Sequence, residues 1–136
     1  METILRIEDT VFKDKDSMGY EVEYAGYVIT TDEQVIKIGV STEQDCCEKP
    51  GHFSSADNLD DFIGARLSFL TIADSELQPG LTKERTNGGI YEGGIMHVNL
   101  DTDRGILQLT AYNDHNGYYG HAGIVVSEQL KHETTL

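Results

Sequence analysis

Short stretches in which apolar and polar residues alternate dominate the chain, and they predict β-strands. Around residues 20–30, Tyr20, Val22 and Tyr24 fall on one side of an extended chain, while Glu21 and Glu23 fall on the other. Comparable patterns predict seven strands, at 2–12, 20–30, 34–40, 66–73, 95–100, 105–112 and 121–127. The first three strands follow one another across turn-forming residues, so we expect them to form an antiparallel meander.

The sequence predicts a single short helix, over residues 58–63. Leu59, Phe62 and Ile63 fall at positions i, i+3 and i+4 and therefore share one face of a helix. Gly64 follows directly and suits the end of the helix, because glycine adopts the left-handed backbone conformation that ends many helices.

The rest of the pattern indicates loops, one hairpin turn and a loose tail. Residues 41–56 and 74–94 are rich in polar residues and glycine and predict loops. Gly105 stands at a hairpin position that favours a left-handed backbone conformation. We expect residues 128–136 to form a frayed or weakly helical tail. The predicted fold is a single compact domain over residues 1–136, of the α+β class, mostly antiparallel β with about seven strands and one short helix.

The charge of the chain narrows the choice of partners. With 24 acidic against 10 basic residues and a net charge of −14, we expect no direct binding to nucleic acid, because phosphates require a basic surface. A basic protein surface is the better match. The acidic residues are densest between 43 and 61, and the candidate partner-binding residues there are Glu43, Asp45, Glu48, Asp57, Asp60 and Asp61.

The chain shows no sequence signal for a membrane or for secretion. It contains no run of 18 apolar residues, and it begins without a basic segment followed by an apolar one. We therefore expect a cytoplasmic protein that does not associate with a membrane.

Two thiols and two imidazoles in separate motifs predict a zinc site. Cys46 and Cys47 are adjacent, so a disulfide between them would be strained, and reduced thiols are the expected state. His115 and His121 bracket a turn with two glycines, which lets both rings point to one spot. Cysteine sulfur and histidine nitrogen are the ligands that a structural zinc prefers. Because these ligands must lose protons to bind, zinc affinity should fall in acid.

The ligand set leaves alternatives open. Neighbouring side chains of an extended chain point to opposite faces, so both cysteines can bind one ion only if the backbone bends there. If only one cysteine binds, the shell could be completed by Glu48, Asp45, Asp114, a water molecule or, in reserve, His52. A second interpretation is a buried thiol pair with both histidines hydrogen-bonded locally. His97 shares a strand face with Asn99 and is expected at the surface.

Signatures of catalysis are weak. The chain has no His-Glu-x-x-His helix, no Gly-x-Ser-x-Gly turn and no deaminase pattern of His-x-Glu followed by Cys-x-x-Cys. We therefore expect a protein that is not an enzyme. There are two alternatives. One is a zinc-dependent enzyme, and the other is a protein that sequesters a small nucleotide; either would act against host defence.

Several motifs resemble those of a family of small, uncharacterised proteins from phages and prophages of Gram-positive bacteria. The similar residues are 46–48 with Gly51, and 57–65, 96–100, 105–108 and 112–121. Among such products, the chain is similar to anti-CRISPR proteins directed at a type II CRISPR effector nuclease. The resemblance implies an inhibitor in the bacterial host cytoplasm that binds the basic surface of this nuclease and blocks DNA loading or cleavage.

Overall fold

A computed structural model describes residues 1–15, 18–42, 49–56, 58–73, 77, 92–115, 122–127 and 131–136. These residues form nine strands and one 3-10 turn (Leu59–Phe62). The strands are β1 (Glu2–Lys15), β2 (Glu21–Thr31), β3 (Val35–Ser41), β4 (Lys49–Ser54), β5 (Arg66–Ala73), β6 (Glu92–Thr102), β7 (Gly105–His115), β8 (Ala122–Val126) and β9 (Lys131–Thr135). They form one sheet in the order β4-β7-β6-β5-β1-β2-β3-β8-β9.

The first three strands form the predicted antiparallel meander. β1 pairs with β2 along most of its length, and β2 pairs with β3. Tyr24 is fully buried, whereas Glu21 and Glu23 on the alternate positions are exposed. The alternation in the sequence therefore identified the two faces of β2 correctly.

β1 joins the two halves of the sheet, β4-β7-β6-β5 on one side and β2-β3-β8-β9 on the other, and the core lies between them. β1 pairs with β5 only through Glu2 and Thr3, and the register of its pairing with β2 shifts between Ile4 and Arg6. One hydrophobic cluster joins both halves. Its fully buried members include Ile29, Ile36 and Ile38 from the meander and Val98, Leu100, Leu107 and Leu109 from β6 and β7.

The middle of the opposite face of β6 and β7 is also buried, but the buried side chains there are polar. His97 is only 4% exposed, and its Nδ1 lies 2.8 Å from the Thr110 hydroxyl. Beside this pair, Gln108 donates from Nε2 to Asn99 Oδ1 at 2.9 Å. The expectation that His97 lies at the surface is therefore wrong, since hydrogen bonding allows these polar groups to be buried.

Two strands lie where none was expected. β4 falls inside the predicted loop 41–56 and pairs with β7, while β9 falls inside the predicted tail and pairs with β8. Leu136, directly after β9, is buried, and its carbonyl oxygen accepts a hydrogen bond from Asn113 Nδ2 at 3.3 Å. The expectation of a frayed or weakly helical tail is thus wrong for residues 131–136.

The predicted helix is present only as a single 3-10 turn. The Asn58 side chain caps it by accepting a hydrogen bond from the Asp60 amide at 3.0 Å, and Ile63 is already extended. Gly64 follows with φ +87°, as expected for a residue that ends such a turn. With so little helix, the fold is mostly antiparallel β rather than a balanced α+β. No helix in the described part of the chain is long or apolar enough to cross a membrane.

Candidate metal centre and the adjoining pocket

The two segments predicted to supply zinc ligands leave the sheet next to each other. β4 begins at Lys49, two residues after Cys47, and Lys49 pairs with Asp114 of β7. β7 ends at the following residue, His115, which pairs with Glu92 of β6. The strand register therefore places the chain entering β4 beside the chain leaving β7.

The ends of β3 and β8 lie next to each other as well. β8 begins at Ala122, the residue after His121, and Gly123 pairs with Val40 near the end of β3. The chain leaves β3 after Ser41 and proceeds to the two cysteines. The two motif segments, one with the cysteines and one with the histidines, are thus bordered by four strand ends that form two adjacent pairs. β4 lies beside β7, and β3 lies beside β8.

Most of the predicted ligands lie outside the described residues. This is true of Cys46, Cys47 and His121, while His115 is described only by its strand position. The side chains that are described contain no group of three or more His, Cys, Asp or Glu residues arranged to hold a metal ion. The zinc site therefore stays a prediction.

A pocket of about 390 Å³ lies at these strand ends. Its walls come from β2, β3, β4 and β7, and they include Ser41 and Thr42 at the end of β3, together with Gly51, His52 and Tyr112. One pocket thus joins the end of β3 to the strands β4 and β7. Its volume lies within the range of roughly 300–1,000 Å³ that small-molecule sites occupy.

His52 connects the two halves of the sheet beside this pocket. Its Nε2 lies 2.7 Å from Asp9 Oδ1 of β1, and its ring meets the Tyr27 ring of β2 edge-on at a centroid distance of 5.1 Å. The His52 side chain is 20% exposed and that of Asp9 is 60% exposed. When Nε2–H donates to the carboxylate, Nδ1 carries the lone pair that a metal ion requires. This geometry is compatible with His52 as the reserve ligand.

Tyr112 and Gly51 together form one wall of the pocket. A Cβ atom at Gly51 would overlap the Tyr112 hydroxyl, so glycine is needed for the tyrosine ring to lie across the β4 backbone. Phe53, two residues further, has its ring centroid 6.0 Å from that of Tyr112. The sequence singled out Tyr112 as part of a motif, but nothing in it indicated that Gly51 is the surface on which the ring rests.

The predicted partner-binding acids are described only in part. Glu43, Asp45, Glu48 and Asp57 lie outside the described residues, whereas Asp60 and Asp61 are exposed on the 3-10 turn. Arg104 lies against this turn and donates from Nη1 to the backbone carbonyls of Asp61 (2.9 Å) and Ile63 (2.8 Å). The two carboxylates therefore stand on a turn that is fixed to the β6–β7 hairpin.

Sequence reasoning missed Asp9 and Tyr27, the partners of His52. Asp9 occurs in an alternating strand, where an acidic residue normally faces solvent, and it is 43 residues away from His52. Only the packing of the two halves of the sheet brings these side chains together. No signal in a single sequence could have paired them.

These observations define the protein class as an acidic, nearly all-β protein with one sheet and a pocket of mixed polarity at the strand ends that border the two motif segments. The chain belongs to the family DUF7448, a domain of unknown function, whose family model matches residues 2–125 and thus includes both segments. No curated protein and no solved structure matches the chain.

Proposed function

We propose that the protein is an acidic anti-CRISPR inhibitor, which binds the basic surface of a type II CRISPR effector nuclease and blocks DNA loading or cleavage. A structural zinc ion held by Cys46, Cys47, His115 and His121 would fix the two motif segments of the inhibitor. The observation that carries the choice of a basic partner is the net charge of −14. The pairing of Lys49 with Asp114, which sets the entry to β4 beside the exit from β7, supports the zinc site. The resemblance to phage proteins supports the nuclease as the partner.

Support for the zinc site comes from the strand register. A structural zinc needs four ligands from segments that meet in space, and it is most useful where long connections would otherwise stay loose. The connections between β3 and β4 and between β7 and β8 leave from paired strand ends. An ion between them would hold both connections against the end of the sheet.

The acidic surface supports a basic partner. Several bases of the described part already lie beside carboxylates, namely Arg6 beside Glu8, Lys13 beside Glu21 and Lys37 beside Asp14. With 24 acidic and 10 basic residues, 14 acids have no matching base in the chain. An acidic surface would speed association with the basic channels in which these nucleases hold the guide RNA and the target DNA.

Neutralising acids on the 3-10 turn tests the proposed face. We expect the Asp60→Asn/Asp61→Asn variant to bind the guide-loaded nuclease about fivefold more weakly, chiefly through slower association, since exposed charges contribute about 0.5 kcal/mol each. The measurement is DNA cleavage titrated with inhibitor, together with association rates at two salt concentrations.

The matched control removes the same charge elsewhere. Glu8→Gln/Glu21→Gln alters two exposed acids of the β1–β2 hairpin and should leave inhibition unchanged. An equal loss of inhibition in both variants would show that inhibition depends on the net charge of the protein and not on the face that carries Asp60 and Asp61. If the wild-type protein fails to inhibit at equimolar amounts, the inhibitor proposal is wrong.

The pocket favours a second candidate function, the sequestration of a small nucleotide. Its volume of about 390 Å³ and its lining by Ser41, Thr42, His52 and Tyr112 would suit a small polar ligand. A cyclic mononucleotide or dinucleotide at a hundredfold excess over its dissociation constant should then raise Tm by roughly 8 °C. His52→Gln should abolish this shift. An unchanged Tm with these nucleotides would remove this candidate.

A further inference from the structure

Among the strands that the structure describes, none pairs with one edge of β5 along most of its length, and this edge is called the open edge. It spans Arg66–Ala73, but β1 pairs only with its first two residues, through Thr3↔Arg66 and Glu2↔Leu67. On its other side, β6 pairs with it up to Ala73. Within the described residues, 68–73 therefore have a strand on one side only. An edge of this kind presents backbone donors and acceptors that can pair with another chain.

A cavity of about 210 Å³ runs along this open edge. Its apolar lining is formed by Ile36, Leu67 and Leu70, and its polar lining includes Glu2, Gln34 and Ser127. The cavity therefore opens from the strand edge towards core side chains. A side chain from an added strand could enter it.

The side chains along this edge favour pairing with another strand, because they lack the charges that would prevent it. Residues 68–73 carry no charge, although natural edge strands commonly use charged residues to prevent unwanted pairing. Phe69 is 54% exposed and Ile72 is 40% exposed. Such exposed apolar side chains on an open edge are typical of a binding surface.

One end of the cavity is negatively charged. The Glu2 carboxylate is held there by hydrogen bonds from the Thr31 hydroxyl (2.8 Å) and from Gln34 Nε2 (2.9 Å). Asp32 and Glu33 directly precede Gln34 in the β2–β3 turn. Arg66 has the basic side chain nearest to this end in the ladder, but it comes directly before Leu67 on β5, so its side chain points to the opposite face.

We propose that the open edge of β5 binds an extended segment of a partner protein, which adds to the sheet as an antiparallel strand in line with β1. Residues 69–73 would pair with the segment, and apolar side chains at alternate positions would enter the cavity beside Leu70. Because β1 already occupies the place beside Arg66 and Leu67, an antiparallel segment beside residues 69–73 runs towards the start of β1 and ends near the Glu2 carboxylate. A lysine or arginine at the carboxyl end of the segment would therefore complement Glu2. This binding mode goes beyond the proposed inhibition and does not depend on the partner being a nuclease.

A short peptide tests the proposal directly. The probe is a blocked heptapeptide of alternating threonine and valine that ends in lysine, added to the full-length protein. We expect hydrogen exchange of the amides within residues 69–73 that face the open edge to slow at least about tenfold at saturation, whereas amides already bonded to β6 should change less. The same peptide with N-methylated backbone amides at alternate residues should give no protection, and one ending in glutamate should bind more weakly.

Two protein variants complete the test. Ile72→Lys places a charge at the edge and should weaken peptide binding about tenfold or more, whereas Ile106→Lys alters an equally exposed isoleucine of β7 and should not. Circular dichroism and Tm establish that both variants are folded. The proposal is overturned by an absence of protection at 69–73 at millimolar peptide, or by equal effects of both substitutions.

Two other outcomes identify different occupants or partners. A dimer of the wild-type protein that dissociates in the Ile72→Lys variant would show edge-to-edge pairing of two copies instead, which also overturns the proposal. If Ile72→Lys inhibits the nuclease normally but no longer binds peptide, the edge serves a partner other than the nuclease. The result for the peptide is therefore independent of the result for inhibition.

Discussion

Serine at both Cys46 and Cys47 is expected to abolish zinc binding and to lower the stability of the protein. The wild-type chain should retain about one zinc ion after purification, and the double variant less than about a tenth of one, because a hydroxyl is a far weaker zinc ligand than a thiolate. At free zinc a thousandfold above its dissociation constant, binding to the folded state stabilises it by about 4 kcal/mol. For a chain of this size, the loss corresponds to a fall in Tm of roughly 12 °C.

Elemental analysis and thermal unfolding with and without a chelator check this prediction. His115→Gln and His121→Gln should each reduce zinc content, whereas His52→Gln should leave it unchanged if His52 is only a reserve ligand. The chelator should lower the Tm of the wild type and leave that of the double cysteine variant unaffected. Full zinc occupancy in the double variant would refute the assignment of the cysteines.

Local patterns were sufficient to predict much of the sheet. β5 has the bounds that were predicted, and β2 and β3 differ from the prediction by a single residue at each end. Gly105, expected in a left-handed conformation, has φ +106° and closes the hairpin in which Thr102 pairs with Gly105. These elements depend on alternation and turn chemistry, which act over a few residues.

The strands that were missed depend on distant partners. β4 has the sequence Lys-Pro-Gly-His-Phe-Ser, in which proline and glycine disfavour a strand, and it exists because β7 pairs with it some sixty residues further along the chain. Its position at the edge of the sheet is where proline is tolerated. β9 is polar throughout and is held by β8 and by the burial of the adjoining Leu136.

The candidate site also has some features that local motifs indicate and others that depend on contacts between distant strands. The two local motifs lie beside strand ends that are paired, those of β4 and β7, and the zinc site that they predict there stays a prediction. The contact of Asp9 with His52 joins strands from different halves of the sheet, and the burial of His97 depends on a second covered face. Both features arise from tertiary packing, which alternation along one strand does not encode.

Alanine at Gly26 is expected to destabilise the protein by about 3 kcal/mol or more. Gly26 of β2 lies directly opposite Gly39 of β3, and a Cβ atom at Gly26 would overlap the backbone carbonyl oxygen of Ile38. Because the obstacle is backbone within a paired strand, relief would require the two strands to separate. The Phe12 ring lies on Gly39 and stacks with Tyr24 at a centroid distance of 5.7 Å, so this movement would also disturb the second hydrophobic cluster, formed by Phe12, Tyr24 and Ile124.

Gly19→Ala is the matched control, because it adds the same methyl group in open space. Gly19 has φ +84°, and no described atom lies within 4 Å of the place that an alanine methyl would take, so the cost should be limited to about 1 kcal/mol of backbone strain. Urea unfolding of both variants measures the difference. Since natural domains are stable by only about 5–15 kcal/mol, Gly26→Ala should shift the urea midpoint far more than Gly19→Ala does. Equal midpoints would contradict the close approach of β2 and β3 at this pair, and with it the register that sets Val40 at the edge of the pocket.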